Sequence, residues 1–237
     1  MSKLPNIEPQ PDTSSCGPTC LHALYRHFGD DVDLHELIGA IFSLDHGGTL
    51  DVFLANHALK RGYTAEIYTY NLQVFDPSWF VGKVDLAARL SAQMRAKPDP
   101  QLQVATRGYL EFLALGGRIR YADLTRTLIR RLLSDGLPVL TGLSATYLYR
   151  SMREWGPDDQ DDDIRGVPVG HFVLLNGYQR ESRQVAVADP MHENPLGDEG
   201  SSQNYHVHID RVIGAILLGA MTYDANLVVL RPGGGRT

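Results

Sequence analysis

Three short segments hold the residues best suited to chemistry. The first is Gln10-Pro-Asp-Thr-Ser-Ser-Cys16-Gly17-Pro18-Thr19-Cys20. A thiol is an effective nucleophile only as thiolate, and the dipole and unpaired amides of a helix N-terminus favour that form. The hydroxyls of Thr13-Ser14-Ser15 offer N-caps and Pro18 suits a first turn. Leu21, Leu24, Tyr25 and Phe28 then recur at helical spacing up to Gly29, so Cys16 is expected where a helix begins. Gly17 would allow a substrate backbone to approach closely. The Cys16 amide could donate to a developing oxyanion, and Gln10, six residues upstream, could supply the second donor. A cysteine in such a place otherwise reads as a small buried core residue.

The second segment, Val169-Gly170-His171-Phe172-Val173-Leu174-Leu175-Asn176-Gly177-Tyr178, reads as a strand with a histidine near its start. An imidazole there could hold the proton of a thiol and later give it to a leaving amine. The commonplace reading is a satisfied core histidine. The third, Val185-Ala186-Val187-Ala188-Asp189-Pro190, reads as the next strand of a hairpin, ending in a carboxylate able to fix the imidazole tautomer. Asp-Pro is otherwise an ordinary turn signal.

Taken together, Gln10, Cys16-Gly17-Pro18, Gly170-His171-Phe172 and Asp189-Pro190 resemble the motifs of the C39-like peptidases of the papain-like superfamily. The resemblance spans roughly residues 5 to 70 and 125 to 192. It implies an α+β, papain-like cysteine peptidase fold with an N-terminal helical lobe and a C-terminal antiparallel β-sheet lobe. Residues 1–237 would form one domain carrying a helical insert at about 71–125. It also implies a peptidase or amidase that forms a thioester on Cys16, with His171 as base, Asp189 as orienter and Gln10 in the oxyanion hole. Gly17 and Gly170 would face a peptide or protein substrate, and no metal or cofactor is expected. A transamidase using the same residues and a non-catalytic peptide-binding module are the alternatives. Relatives that remove leader peptides are fused to membrane exporters, whereas this sequence shows neither spanning helices nor an ATPase. The stretch Leu137 to Tyr149 is similar to that of free-standing bacterial members. Those are associated with ATP-grasp peptide ligases, so such a system is an expected partner.

The elements that must position these residues follow from periodicity. Helices are expected over Leu34 to Phe42, Leu50 to Arg61, Val84 to Met94, Val104 to Leu115 and Tyr121 to Leu133. Strands are expected over Thr64 to Tyr70, Pro138 to Leu143, His171 to Tyr178, Gln184 to Ala188, Tyr205 to Ile209 and Asn226 to Leu230. Helices precede strands, the pattern of segregated layers. The 237 residues are 43% hydrophobic and 21% charged, with a formal net charge of -6, which gives no electrostatic reason to expect nucleic acid. Cys16 and Cys20, four apart on a helix, are poorly placed for a disulfide and fit a reducing compartment. The N-terminal segment shows no apolar signal region, and Val212 to Met221 is too short to span a bilayer, so a cytoplasmic protein is expected. The acidic run Asp158 to Asp163 reads as a solvated loop or a lure for a cationic substrate. His192, His206 and His208 read as surface residues rather than metal ligands, and Gly233 to Gly235 as a tail rather than a processing site.

Overall fold

Positions 172 to 175 are apolar and all buried, so the strand that carries them offers no face to water. Any sheet containing it needs helices on both sides. The computed structural model describes residues 6–44, 47–197 and 203–233, and its elements meet that requirement. In chain order they are α1 (Cys16–His27), α2 (Leu34–Ala40), α3 (Asp51–Lys60), β1 (Tyr63–Thr69), α4 (Leu86–Ala96), α5 (Pro100–Ala114) and β2 (Arg118–Arg120). There follow α6 (Arg126–Ser134), β3 (Val139–Ser144), α7 (Ala145–Tyr149), β4 (Glu154–Trp155), β5 (Gln160–Asp161) and β6 (Gly170–Gln179). The chain continues through β7 (Gln184–Ala188), β8 (Asn204–His208), α8 (Ile209–Leu218) and β9 (Asn226–Pro232).

Seven strands form one sheet in the order β2-β1-β9-β3-β6-β7-β8, while β4 and β5 form a separate hairpin. One core packs α1, α3 and α5 on the sheet through Leu24, Leu54 and Phe112 against Ile67, Leu174 and Val228. A second packs α6, α7 and α8 on the opposite face through Ile129, Leu148 and Ile216 against Val173, Leu175 and Leu227. Alternation along β6 sends Phe172 and Leu174 to one core and Val173 and Leu175 to the other, as the pleat dictates.

The expected α+β architecture is therefore present, with two differences from the expected layout. Helices cover both faces rather than forming a segregated layer, because β6 is apolar on both. The sheet is mixed: β1 joins β9 antiparallel and takes β2 in parallel at the edge. The early and late parts of the chain thus share one sheet. Residues 71 to 125 hold α4, α5 and β2. Gly234 and Gly235 lie outside the described residues. No helix among those described is long and apolar enough to cross a membrane.

Candidate active site

Cys16 is the first residue of α1 and is 8% exposed. Ser15 occupies the N-cap, but its hydroxyl does not cap the helix. It donates instead to the Asp12 carbonyl at 3.2 Å, while the Ser14 hydroxyl donates to Asp12 Oδ1 at 2.8 Å. The expected hydroxyl cap is thus replaced by a tight turn, since a nearer acceptor competes for both groups. That turn also fixes Gln10, whose Nε2 donates to the Asp12 carbonyl at 2.8 Å and whose backbone N–H donates to Pro190 O at 2.8 Å. The segment before the nucleophile is thereby tied to the one after Asp189.

His171 is the second residue of β6, opposite Leu143 of β3, and is 4% exposed. Its Nε2–H donates to Asp189 Oδ1 at 2.8 Å, which leaves Nδ1 as the ring nitrogen for the sulfur. Asp189, fully buried just past the end of β7, also accepts at Oδ2 from the hydroxyls of Tyr149 (2.6 Å) and Tyr205 (2.7 Å). The Met191 amide adds a fourth donor, to Oδ1 at 2.9 Å. A buried carboxylate so surrounded cannot swing, and it presents one fixed oxygen to the imidazole.

The electrostatics follow from this geometry. Burial alone would lower the His171 pKa, but the Asp189 charge, then Cys16 through charge and hydrogen bonding, outweighs it and raises the ring to about 10. Burial would raise the Asp189 carboxyl, yet the His171 charge and the four hydrogen bonds hold it below the usual range. The site therefore favours a protonated ring between a carboxylate and the Cys16 sulfur. Cys20, one turn along α1, is fully buried and donates to Phe172 O at 3.3 Å. Burial, followed by the Cys16 and Asp189 charges, pushes its thiol well above the ordinary value.

Gln10, Cys16, Gly170, His171 and Tyr149 line one cleft of about 630 Å³, enough to take several atoms on each side of an amide bond. Gly17 does not line it. A Cβ there would meet Thr49 Cγ2 at 3.0 Å, Leu54 Cδ1 at 3.1 Å and Phe172 Cδ2 at 3.2 Å. The absence of a side chain at Gly17 thus allows close packing of α1 on the core. Gly170 does reach the cleft, but a Cβ there would lie 2.7 Å from Asp224 Oδ2, so this glycine makes room for a carboxyl group.

Sequence reasoning missed Tyr149, Tyr205 and Asp224. A tyrosine closing a short helix and another on an alternating strand look like packing residues, and only the folded chain shows where their hydroxyls end. Asp224 carried a faint signal as a lone acid between apolar runs. The acidic run divides: Asp162 pairs with Arg165, whereas Asp158 and Asp159 turn onto the cleft wall with Glu154. His206 meets Gln179, and His208 accepts from the Asp210 amide at the start of α8, so the two do separate work.

No protein-family model matches the sequence, and no curated protein matches it either. Among solved structures, a candidate C39-like peptidase from Bacillus anthracis is 17% identical, with 98% of this chain and 97% of that chain covered and a TM-score of 0.51. The chain has the C39-like, papain-type peptidase fold. The peptidase domain of Streptococcus ComA, a bifunctional ABC transporter of a quorum-sensing pathway, is 15% identical. There 95% of this chain and 97% of that chain are covered, with a TM-score of 0.44. The 17% identity to the Bacillus anthracis structure speaks for the fold alone, and the chemistry rests on the side chains of the cleft.

Proposed function

We propose that the protein is a cysteine-dependent amidase that cleaves a peptide amide bond through a thioester on Cys16. The observation that carries this reading is the buried His171, bonded through Nε2 to Asp189 and facing Cys16 with its other nitrogen. In this mechanism the Cys16 sulfur attacks the scissile carbonyl while His171 holds the sulfur's proton at Nδ1. The ring then gives that proton to the leaving amine as the C–N bond breaks, and a thioester remains. Water, deprotonated by the same ring, attacks the thioester and releases the acid. Asp189 keeps the ring in one tautomer throughout, with its own charge balanced by the imidazolium. The oxyanion would sit between the Cys16 amide and Gln10, whose side-chain amide keeps a second N–H beyond the one given to Asp12.

The test is turnover of a peptide-amide library by the wild type and by Cys16→Ala, with products weighed by mass spectrometry. Release of free acid by the wild type alone supports the reading. Release that persists in Cys16→Ala removes the sulfur from the mechanism. Products carrying an added amine in place of water would convert the assignment to a transamidase.

A further inference from the structure

The walls of the cleft are chemically one-sided. Four carboxyl groups line it, from Glu154, Asp158, Asp159 and Asp224, and among the described residues it contains no lysine or arginine. The first three stand on the β4–β5 hairpin, and none is paired with a cation among the described residues. His171 is the titratable base on the wall, and Asp189 already balances its charge. Acidic residues on a hairpin are common, so the fourth carboxyl is the informative one.

Asp224 is 5% exposed and lies beyond the hairpin, on the segment before β9. Gly142 and Gly170 form the slot that admits it: a Cβ on either would come within 2.5 Å of Asp224 Cβ or 2.7 Å of its Oδ2. Its Oδ2 accepts from Thr222 Oγ1 at 3.0 Å, while Oδ1 is buried with no hydrogen-bond partner. A buried carboxyl oxygen without a partner costs on the order of 1–3 kcal/mol, and such groups are retained where something else completes them. Asp51, itself fully buried with Oδ2 unpartnered, adds a second acid close enough for its charge to act on Asp224.

We propose that Asp224 is a specificity-determining residue, and that the cleft selects substrates bearing a cationic group, an ammonium or guanidinium, next to the amide presented to Cys16. This rests on the cysteine-amidase reading and names its substrate class. Burial, followed by the Asp51 charge, pushes the Asp224 carboxyl well above its usual range, a penalty on its charge that a cation seated beside it would relieve. Glu154, Asp158 and Asp159 gather the cation at the mouth, and Asp224 receives it at the wall.

Cys16 itself reports the local field through its labelling rates with three methanethiosulfonates: aminoethyl (cation), methyl (neutral) and sulfonatoethyl (anion). Rates are normalised to a free model thiol and read by mass spectrometry, and the buried Cys20 serves as internal control. The expected cation-to-anion ratio is at least about tenfold above the model thiol, as steering into a charged cleft produces. Asp224→Asn, nearly isosteric, is expected to cut that ratio severalfold, and neutralising the three hairpin acids together to cut it further. Protection of Cys16 by Nα-acetyl-lysinamide or by norleucinamide with a free amino terminus separates a side-chain cation from an α-ammonium. A wild-type ratio near one overturns the proposal, as does an undiminished ratio in a folded Asp224→Asn protein. The ratio can be read even if absolute rates are slow. Loss of the amidase reading would instead appear as sluggish labelling by every reagent and no turnover.

Discussion

At the scale of single residues, the site is a chain of buried polar groups in which each fixes the next. Asp189 Oδ2 has two tyrosine donors, so Tyr149→Phe or Tyr205→Phe alone leaves the oxygen one partner. The double variant leaves none, and is expected to lose about 1–3 kcal/mol in urea unfolding together with a clear drop in turnover. Gln10→Ala should lower turnover by roughly a hundredfold or more with little change in unfolding, the usual effect of deleting one oxyanion donor. Wild-type activity in that variant would exclude Gln10. The His171–Asp189 pair also fixes a pH dependence. The folded protein keeps the His171 proton up to about pH 10, whereas an unfolded histidine loses it near 6.5. The native state thus binds more protons in that interval, so this contribution is complete below 6.5 and fades as pH rises towards 10. Asp189, held below its usual value of 3.8, contributes above that value and loses its contribution as pH falls through the lower folded value. Thermal unfolding of the wild type relative to His171→Ala should therefore show its largest margin between about pH 4 and 6.5. A margin that grows with alkalinity would contradict the pairing. Cys16, His171 and Asp189 stood out in the sequence because few residue types can act as nucleophile, base and orienter in that order. The tyrosines and Asp224 did not, because a hydroxyl or carboxyl acquires its role only from the neighbour that folding brings to it.

At the scale of elements, two devices place the nucleophile. The turn at Asp12 to Ser15 sets where α1 begins, and the absence of a side chain at Gly17 sets how closely α1 meets the core. Gly17→Ala would crowd Thr49, Leu54 and Phe172 together, and is expected to cost about 1–3 kcal/mol in urea unfolding while slowing turnover. Unchanged stability would mean that α1 has slack, against the contacts described. Long periodic elements were legible: α1, α3, β1, β3, β6 and β7 fall close to where hydrophobic spacing puts them. Short ones were not. β2 has three residues and one inward side chain, Ile119, too few for an alternation to be visible. The helix expected from Tyr121 begins only at Arg126, because Thr125 accepts from the Leu128 amide and starts the helix there. The helix expected from Val104 begins earlier, at Pro100, because Asp99 caps it and a proline suits the first turn.

At the scale of the whole molecule, the sheet separates two cores, and the site lies where the first residue of α1 meets the ends of β6 and β7. The sequence reads segment 71–125 as a helical insert. Its α4 and α5 nevertheless bury Leu90, Leu102, Tyr109 and Phe112 in the core beneath α1 and α3. Phe112→Ala should therefore cost about 3–5 kcal/mol and keep a single unfolding transition. A negligible loss, or two separate transitions, would make the segment an independent attachment. The central claim is that Cys16 is held reactive by His171 while Cys20, one turn away, is inert. Competitive alkylation with limiting iodoacetamide, read by peptide mass spectrometry, tests it most directly. Modification of Cys16 at least a hundredfold faster than Cys20, with most of that rate lost in His171→Ala, is the expected result. Equal and slow modification of both thiols, unaffected by His171→Ala, would contradict it.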